Sequence, residues 1–490
     1  MGPEQALADT AGGDTRGCVA TLACDQAVFT SIRTPMGEGY RIIASSRGLR
    51  AVEKQMITRS SPSHEGLCRR SPEAGVAASG PEGAAFYRLP SGRLCVALSC
   101  FAGAEHTGRG GQRVYTQCAV FDEDSFPQCG YNAFNVLRAM VAAGLAAPRL
   151  EPSATLPPIA LVVNAGPDDS GELTLHPEIG TDCRRRVLQG LFDNRSMIVD
   201  VEGEWLQSAE LLLLGVPGPA RADISFSAGA RFSLGRGHRL HLLHDARGEA
   251  RARTSGQPVD FIKPGEETGS GRCNSAWMQF VEHCWSRSLN AMLAERTSRP
   301  FSDVGPAARE RVGRLYNAID GISETHSARL VDLSIEQLRS AQPAVEGEIA
   351  RELVERAGAE LVRRITAERW SDVKRYWPKL IEMYGRPGQP AAFALPLLEQ
   401  ALCCAMRDDP LDAATTALDL TLPAQPCHDT SAVEAMCDRV IKRLVAWAPT
   451  ASGTERERLL SLCDRWRPLR PDCALIDDVI RISTSPVTAE

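Results

Sequence analysis

QAVFTSIRTPMGEGYRIIASSRGL, residues Gln26 to Leu49, reads as strand, tight polar turn, strand, turn. Gln26 to Arg33 has the β-branched and aromatic content of a strand. Thr34-Pro35-Met36-Gly37-Glu38-Gly39 breaks it, because Pro35 fixes φ and the two glycines reach backbone conformations that other residues avoid. Tyr40 to Ser45 resumes a strand. The tip gathers Arg33, Glu38, Tyr40 and Arg41, more polar chemistry than a plain hairpin needs, and no complete catalytic set. With His64 from the SPSHEGL stretch that follows, these four make the candidate recognition surface. A solvated structural hairpin accounts for the same residues without a ligand.

Outward from this hairpin the pattern predicts an α+β chain. Residues 1–24 read as a disordered tail. Residues 25–146 read as an N-terminal α+β domain. It holds a short helix at Glu53 to Thr58, a hairpin whose strands flank Pro90-Ser91-Gly92, a strand over Arg113 to Asp122 and a helix over Asn132 to Leu145. A proline-rich linker, APRLEPSATLPP, leads to an α/β middle domain over 159–247. There, strands and helices alternate, with Asp182 as the expected N-cap of a helix that carries Arg184, Arg185 and Arg186. A glycine-rich linker over 248–273 precedes a mostly helical region, 274–490. Its helical periodicity recurs at Glu348 to Thr366, Tyr376 to Tyr384, Leu397 to Met406 and Ala432 to Trp447, with no clean repeat.

Composition sets bounds on function. The chain has 490 residues, 43% hydrophobic and 24% charged, enough for several ordinary globular cores. A net charge of −6 argues against nucleic-acid binding by bulk electrostatics. The first residues lack the apolar core of a signal peptide, and the longest apolar runs fall well short of the roughly 20 residues of a membrane span. A cytoplasmic protein without membrane insertion is expected. The 16 cysteines include no C-x-x-C spacing, so reduced, buried thiols are expected instead of zinc ribbons or redox pairs.

Motifs for chemistry are sparse. No Gly-Lys dipeptide exists, which excludes a Walker A loop, and no G-x-G-x-x-G or G-x-S-x-G occurs. No cofactor is therefore expected. His64-Glu65-Gly66-Leu67-Cys68 resembles H-E-x-x-H with cysteine in the last place, but Gly66 interrupts the helix such a metal site needs. A loop is the plainer reading. Cys68, Cys95 or Cys100 with His64 or His106 would make a thiol–imidazole pair if the fold brought them together. Arg184 to Arg186 and the GRGGQR run from Gly108 to Arg113 would grip anions. A solvated helix face for the first and a mobile hairpin tip for the second are the stronger readings.

Two blocks carry a family resemblance. Gln26-Ala27-Val28-Phe29, Gly39-Tyr40-Arg41 and Ser46-Arg47-Gly48-Leu49 resemble the N-terminal domain of bacterial GTPase-associated protein one, in its second subtype. ISFSAGARFSLGRGHRLHLL, Ile224 to Leu243, resembles that family's middle domain, although the Gly-Arg turn before His238 departs from the pattern. The resemblance implies a component of multi-gene bacterial defence or signalling systems, acting as a non-catalytic adaptor or regulator of a separate GTPase. It carries over no catalytic residue. Two alternatives stay open on the residues alone: a thiol-dependent hydrolase using a Cys/His pair in the first domain, and a sensor of a small anionic ligand using Arg33 and Arg41.

Overall fold

The computed structural model describes residues 19–34, 37–68, 81–105, 111–149, 152–164, 179–245, 259–265, 275–301, 303–325, 349, 352–353, 356, 402–420, 430–468 and 471–485. It divides into two compact units, Met1–Arg309 and Glu310–Glu490. The fold is α+β.

The first unit is organised on one mixed sheet of eleven strands. In chain order they are β1 (Val19–Thr34), β2 (Gly37–Ser46), β3 (Gly83–Arg88), β4 (Leu94–Ala104), β5 (Gln112–Phe121), β6 (Thr155–Leu156), β7 (Ile159–Asn164), β8 (Ser196–Asp200), β9 (Phe226–Ala228), β10 (Leu240–Leu243) and β11 (Val259–Ile262). Their spatial order is β11-β8-β10-β9-β3-β4-β5-β1-β2-β6, with β7 also on β1. From β3 to β2 the ladders are antiparallel; β9, β10, β8 and β11 run parallel to one another. The halves join where β3 pairs antiparallel with β9, Ala85 opposite Ser227.

Three expected boundaries move. Val19 to Cys24, expected in the tail, instead extend β1 and pair with β7, burying Leu22 and Cys24, while residues 1–18 lie outside the described residues. The linker at 147–158 includes β6, and Ile159 to Asn164 return to β1, so proline content does not mark a break in the sheet. The 248–273 segment contains β11, whose parallel pairing with β8 outweighs its glycine-rich flanks.

Helices cover both faces. α1 (Ala51–Ser60) is longer than expected, since Glu53 folds back to accept from the Arg50 backbone N–H at 2.7 Å and starts the helix early. It lies over a core of Leu49, Ile57, Tyr87, Leu89, Cys95, Cys118 and Val120. On the other face α2 (Ala133–Ala142) begins where Asn132 caps the Phe134 N–H at 3.0 Å. An aromatic layer lies beneath it: Phe134 stacks on Phe226 at 4.8 Å, and Phe86 on Phe126 at 5.4 Å. Full burial of such rings contributes about 2–3 kcal/mol each. α3 (Thr181–Phe192) and α4 (Trp205–Leu214) pack beside the parallel strands. Gly180, not Asp182, is the N-cap of α3; Asp182 falls in its first turn.

The second unit is helical where described. Pro410–Leu420, Thr430–Trp447, Gly453–Trp466 and Ala474–Thr484 pack together around Leu418, Ile441, Leu444, Leu459, Trp466 and Ile476. Ser452 and Glu455 close a capping box on the third of these. The expected helices at Glu348 to Thr366 and Tyr376 to Tyr384 fall almost wholly outside the described residues, and Leu397 to Met406 partly so.

Candidate functional site

The hairpin of β1 and β2 is in register from Thr34↔Gly37 back to Phe29↔Ile42. Side chains alternate across a strand, so this register sorts the candidate residues by face. Ser31 and Tyr40 are partners on one face, and Arg33 and Glu38 lie one step nearer the tip on that same face. Arg41, opposite Thr30, belongs to the other face. The single surface expected from sequence is therefore two: Arg33, Glu38 and Tyr40 together, and exposed Arg41 apart.

At the tip, Arg33 Nε meets Glu38 Oε1 at 2.8 Å, with the arginine side chain 75% exposed. Deeper, Glu105 at the end of β4 is the centre of a cluster that sequence reasoning missed. Its side chain is fully buried. Ser31 Oγ donates to Glu105 Oε1 at 2.8 Å, and the Tyr40 hydroxyl donates to Oε2 at 2.7 Å. The same hydroxyl accepts from the Val114 backbone N–H at 3.1 Å, which ties β2 to β5. Burial pushes the Tyr40 phenol above its ordinary pKa; the Val114 N–H opposes this and the bond to Glu105 adds to it. The phenol is thus a standing donor.

His64 completes the cluster at its rim. Its Nδ1 lies 3.9 Å from Glu105 Oε2, and its side chain is 24% exposed. The preceding helix has ended, Gly66 N–H bonds back to the Ser63 carbonyl at 2.7 Å, and Glu65 sits at a φ of 52°. His64 and Cys68 are therefore on a turn, not one helical face. Among the described residues no group of three or more His, Cys, Asp or Glu is placed to hold a metal ion. Ser31 spends its proton on Glu105, so the cluster has no hydroxyl poised against an imidazole. What it does is fasten the hairpin base to the ends of β4 and β5 and present His64, Arg33 and Glu38 on the outside.

The other candidates are placed elsewhere. Cys68, Cys95 and Cys100 are buried; burial pushes the Cys68 thiol up to about 11 and that of Cys100 to about 12, far from a reactive thiolate. No hydrogen bond joins His64 to a described cysteine; His106 and residues 108–110 of GRGGQR lie outside the described residues, and Arg113 of that run is buried with its guanidinium on the Ala102 carbonyl. Arg184 packs over the Trp285 ring at 5.3 Å and Arg185 bonds Glu282, so these two support the fold. Among the described residues no helix is long and apolar enough to cross a membrane.

The motif residues themselves are structural. Gln26 N–H donates to Ser46 Oγ at 2.8 Å, and the Gln26 side chain reaches the Pro157 carbonyl at 2.8 Å. Gly48 lies so close to Asp25 that a Cβ there would come within 2.5 Å of its carboxylate. Gly229 of the SFSAG block has a φ of 72°, and a Cβ would meet the Glu82 carbonyl at 2.1 Å. Residues 23–162 match the family model described as GTPase-associated protein 1, N-terminal domain type 2. No curated protein and no solved structure matches the chain.

Proposed function

We propose that this chain, whose residues 23–162 belong to the GTPase-associated protein 1 family as an N-terminal domain of type 2, is a non-catalytic adaptor or regulator of a separate GTPase. The system it serves is one of bacterial defence or signalling, and it acts in the cytoplasm. The observation that carries this reading is the family match itself, whose name pairs the domain with a GTPase. The sequence agrees in lacking a Walker A loop of its own.

The partner surface is the outer rim of the Glu105 cluster. Arg33 and Glu38 are solvent-reachable groups on a hairpin whose base is locked by Ser31, Tyr40 and Glu105, and His64 reaches the same rim from the turn after α1. Such a rim suits recognition, because rigid presentation lowers the ordering cost of binding. Arg41, on the opposite face, is a second contact at most. Affinity purification of the tagged full chain from its native host, with mass spectrometry, tests the reading. A P-loop GTPase is expected in the wild-type eluate and strongly reduced with Arg33→Ala/His64→Ala. Its absence from the wild-type eluate overturns the proposal.

A further inference from the structure

β1 pairs with β5 from Asp25 to Thr30 and leaves it there, Thr30 lying opposite Tyr115. It stays paired with β2 through four further positions, from Ser31↔Tyr40 to Thr34↔Gly37. Past Thr30 the two strands have only each other as backbone partners among the described residues. Ser31 and Tyr40, both bonded to Glu105, hold the root of this ribbon.

Arg33 is in the last pair but one, opposite Glu38. Its Nε lies 2.8 Å from Glu38 Oε1, and its side chain is 75% exposed. Neither Nη atom has an acceptor among the described residues. A guanidinium carries five N–H donors in a flat fork, so a carboxylate on Nε leaves the four Nη hydrogens for another ligand. The other arginines near this rim are differently placed. Arg41 is set back, opposite Thr30 on the other face. Arg113 is buried with its guanidinium on the Ala102 carbonyl, and Arg231 Nη1 faces Glu65 at 3.9 Å.

We infer that Arg33 is an arginine finger, inserted into the nucleotide site of the GTP-bound partner to speed hydrolysis there. This inference rests on the GTPase reading above and makes the chain a regulator of its partner. Hydrolysis forms a bond between a water oxygen and the γ-phosphorus, and breaks the bond from that phosphorus to the β–γ bridging oxygen. The electron pair of the broken bond stays on the β-phosphate of GDP, and both water protons leave with the inorganic phosphate. Negative charge is spread over these oxygens during the transfer, and a guanidinium placed on them stabilises it. Arg33 exchanges no atom in this step. The chain itself lacks a Walker A lysine, so the nucleotide is the partner's. Glu38 is a positioning residue: it fixes the guanidinium before contact, so less rotamer freedom is lost on docking.

The test uses the full chain and the GTPase that co-purifies with it. GTP hydrolysis is followed in a single turnover, with the GTPase loaded with GTP and the chain at saturating concentration. The wild-type chain should raise the rate on the order of 10³-fold, Arg33→Ala should lose nearly all of that rise, and Arg33→Lys, without the fork, should recover little of it. Glu38→Ala should lower the rise, and Glu38→Gln, which keeps an acceptor for Nε, should restore most of it. A second readout is independent of rates. GDP with aluminium fluoride mimics the transition state, and should tighten the complex with the wild-type chain but not that with Arg33→Ala. A GTPase that binds the chain yet hydrolyses GTP equally fast with wild type and Arg33→Ala overturns the finger and leaves the adaptor reading standing. No GTPase in the wild-type eluate overturns both.

Discussion

Glu105 and Arg236 are both charged side chains withdrawn from water within the same sheet unit, and they are handled in opposite ways. Glu105, just past the end of β4 in the antiparallel half, is met by hydroxyl donors from β1 and β2. Arg236, over the parallel half, is met by one carbonyl and keeps a buried donor without a protein acceptor. Antiparallel strands put side chains from three ladders side by side at fixed spacing, so a carboxylate there finds partners ready placed. The short parallel strands are joined on this side by an irregular loop, and the loop brings a cation without its counter-charge. A satisfied buried charge reads as structure, and a buried donor without a partner is a local cost that the surrounding packing must offset.

The largest expected effect that sharpens this contrast is acid sensitivity beside Arg236. Fully buried His241 is lowered from 6.5 to about 3 by burial first and Arg236 second. Above pH 6.5 it is neutral whether folded or unfolded. Between 6.5 and about 3 the unfolded chain binds a proton that the folded one refuses. Stability therefore falls as pH drops through that window, by about 1.4 kcal/mol per pH unit for each such proton, and levels off below it. Urea unfolding of His241→Gln across this range should show a shallower fall; an unchanged slope would break the account.

Next comes Glu105→Leu, which strands two buried hydroxyls and should cost about 3–4 kcal/mol in the same assay. A loss under about 1 kcal/mol would mean that the cluster is not the lock of the hairpin. A paired comparison of arginines follows. Arg221→Met should cost about 3 kcal/mol, because it leaves the buried carbonyls of Val216 and Leu214 and the Thr297 hydroxyl without their donor. Arg236→Met should cost less than about 1 kcal/mol, since a buried cation without a partner contributes little to the fold. Equal losses would erase the distinction. The smallest effect is Arg33→Ala, within about 0.5 kcal/mol on stability because its ion pair with Glu38 is exposed. Its consequence should appear in partner recovery, and a large stability loss instead would make Arg33 structural.

Much of the local structure was legible in the sequence. The pairing of the strands on either side of residues 35–36, the Pro90-Ser91-Gly92 turn, the strand over Arg113 to Asp122 and the helix that follows Asn132 all follow from turn chemistry and side-chain period. The resemblance of the N-terminal residues was legible too: Gln26, Ser46 and Gly48, within the matched residues 23–162, are constrained by close contacts that few other residues satisfy. The candidate site was only half legible. Arg33, Glu38, Tyr40 and His64 drew notice as polar residues near a turn, while Glu105 was not singled out. Its one signal was that position, a lone carboxylate closing LCVALSCFAGA.

Period and turn residues act over a few positions, so the sequence alone determined most of the strands and helices; β6, β11 and the first residues of β1 depend on pairing with distant strands. Partnership across the chain is another matter. Glu105 meets residues 74, 65 and 41 positions away, through Ser31, Tyr40 and His64. The return of β7 to β1, the junction of β9 with β3 and the burial of Arg236 likewise depend on long-range register. A one-residue slip in that register would turn each of those side chains to the opposite face. Only the tertiary structure decided which charges were satisfied and which one was left with a donor unpaired.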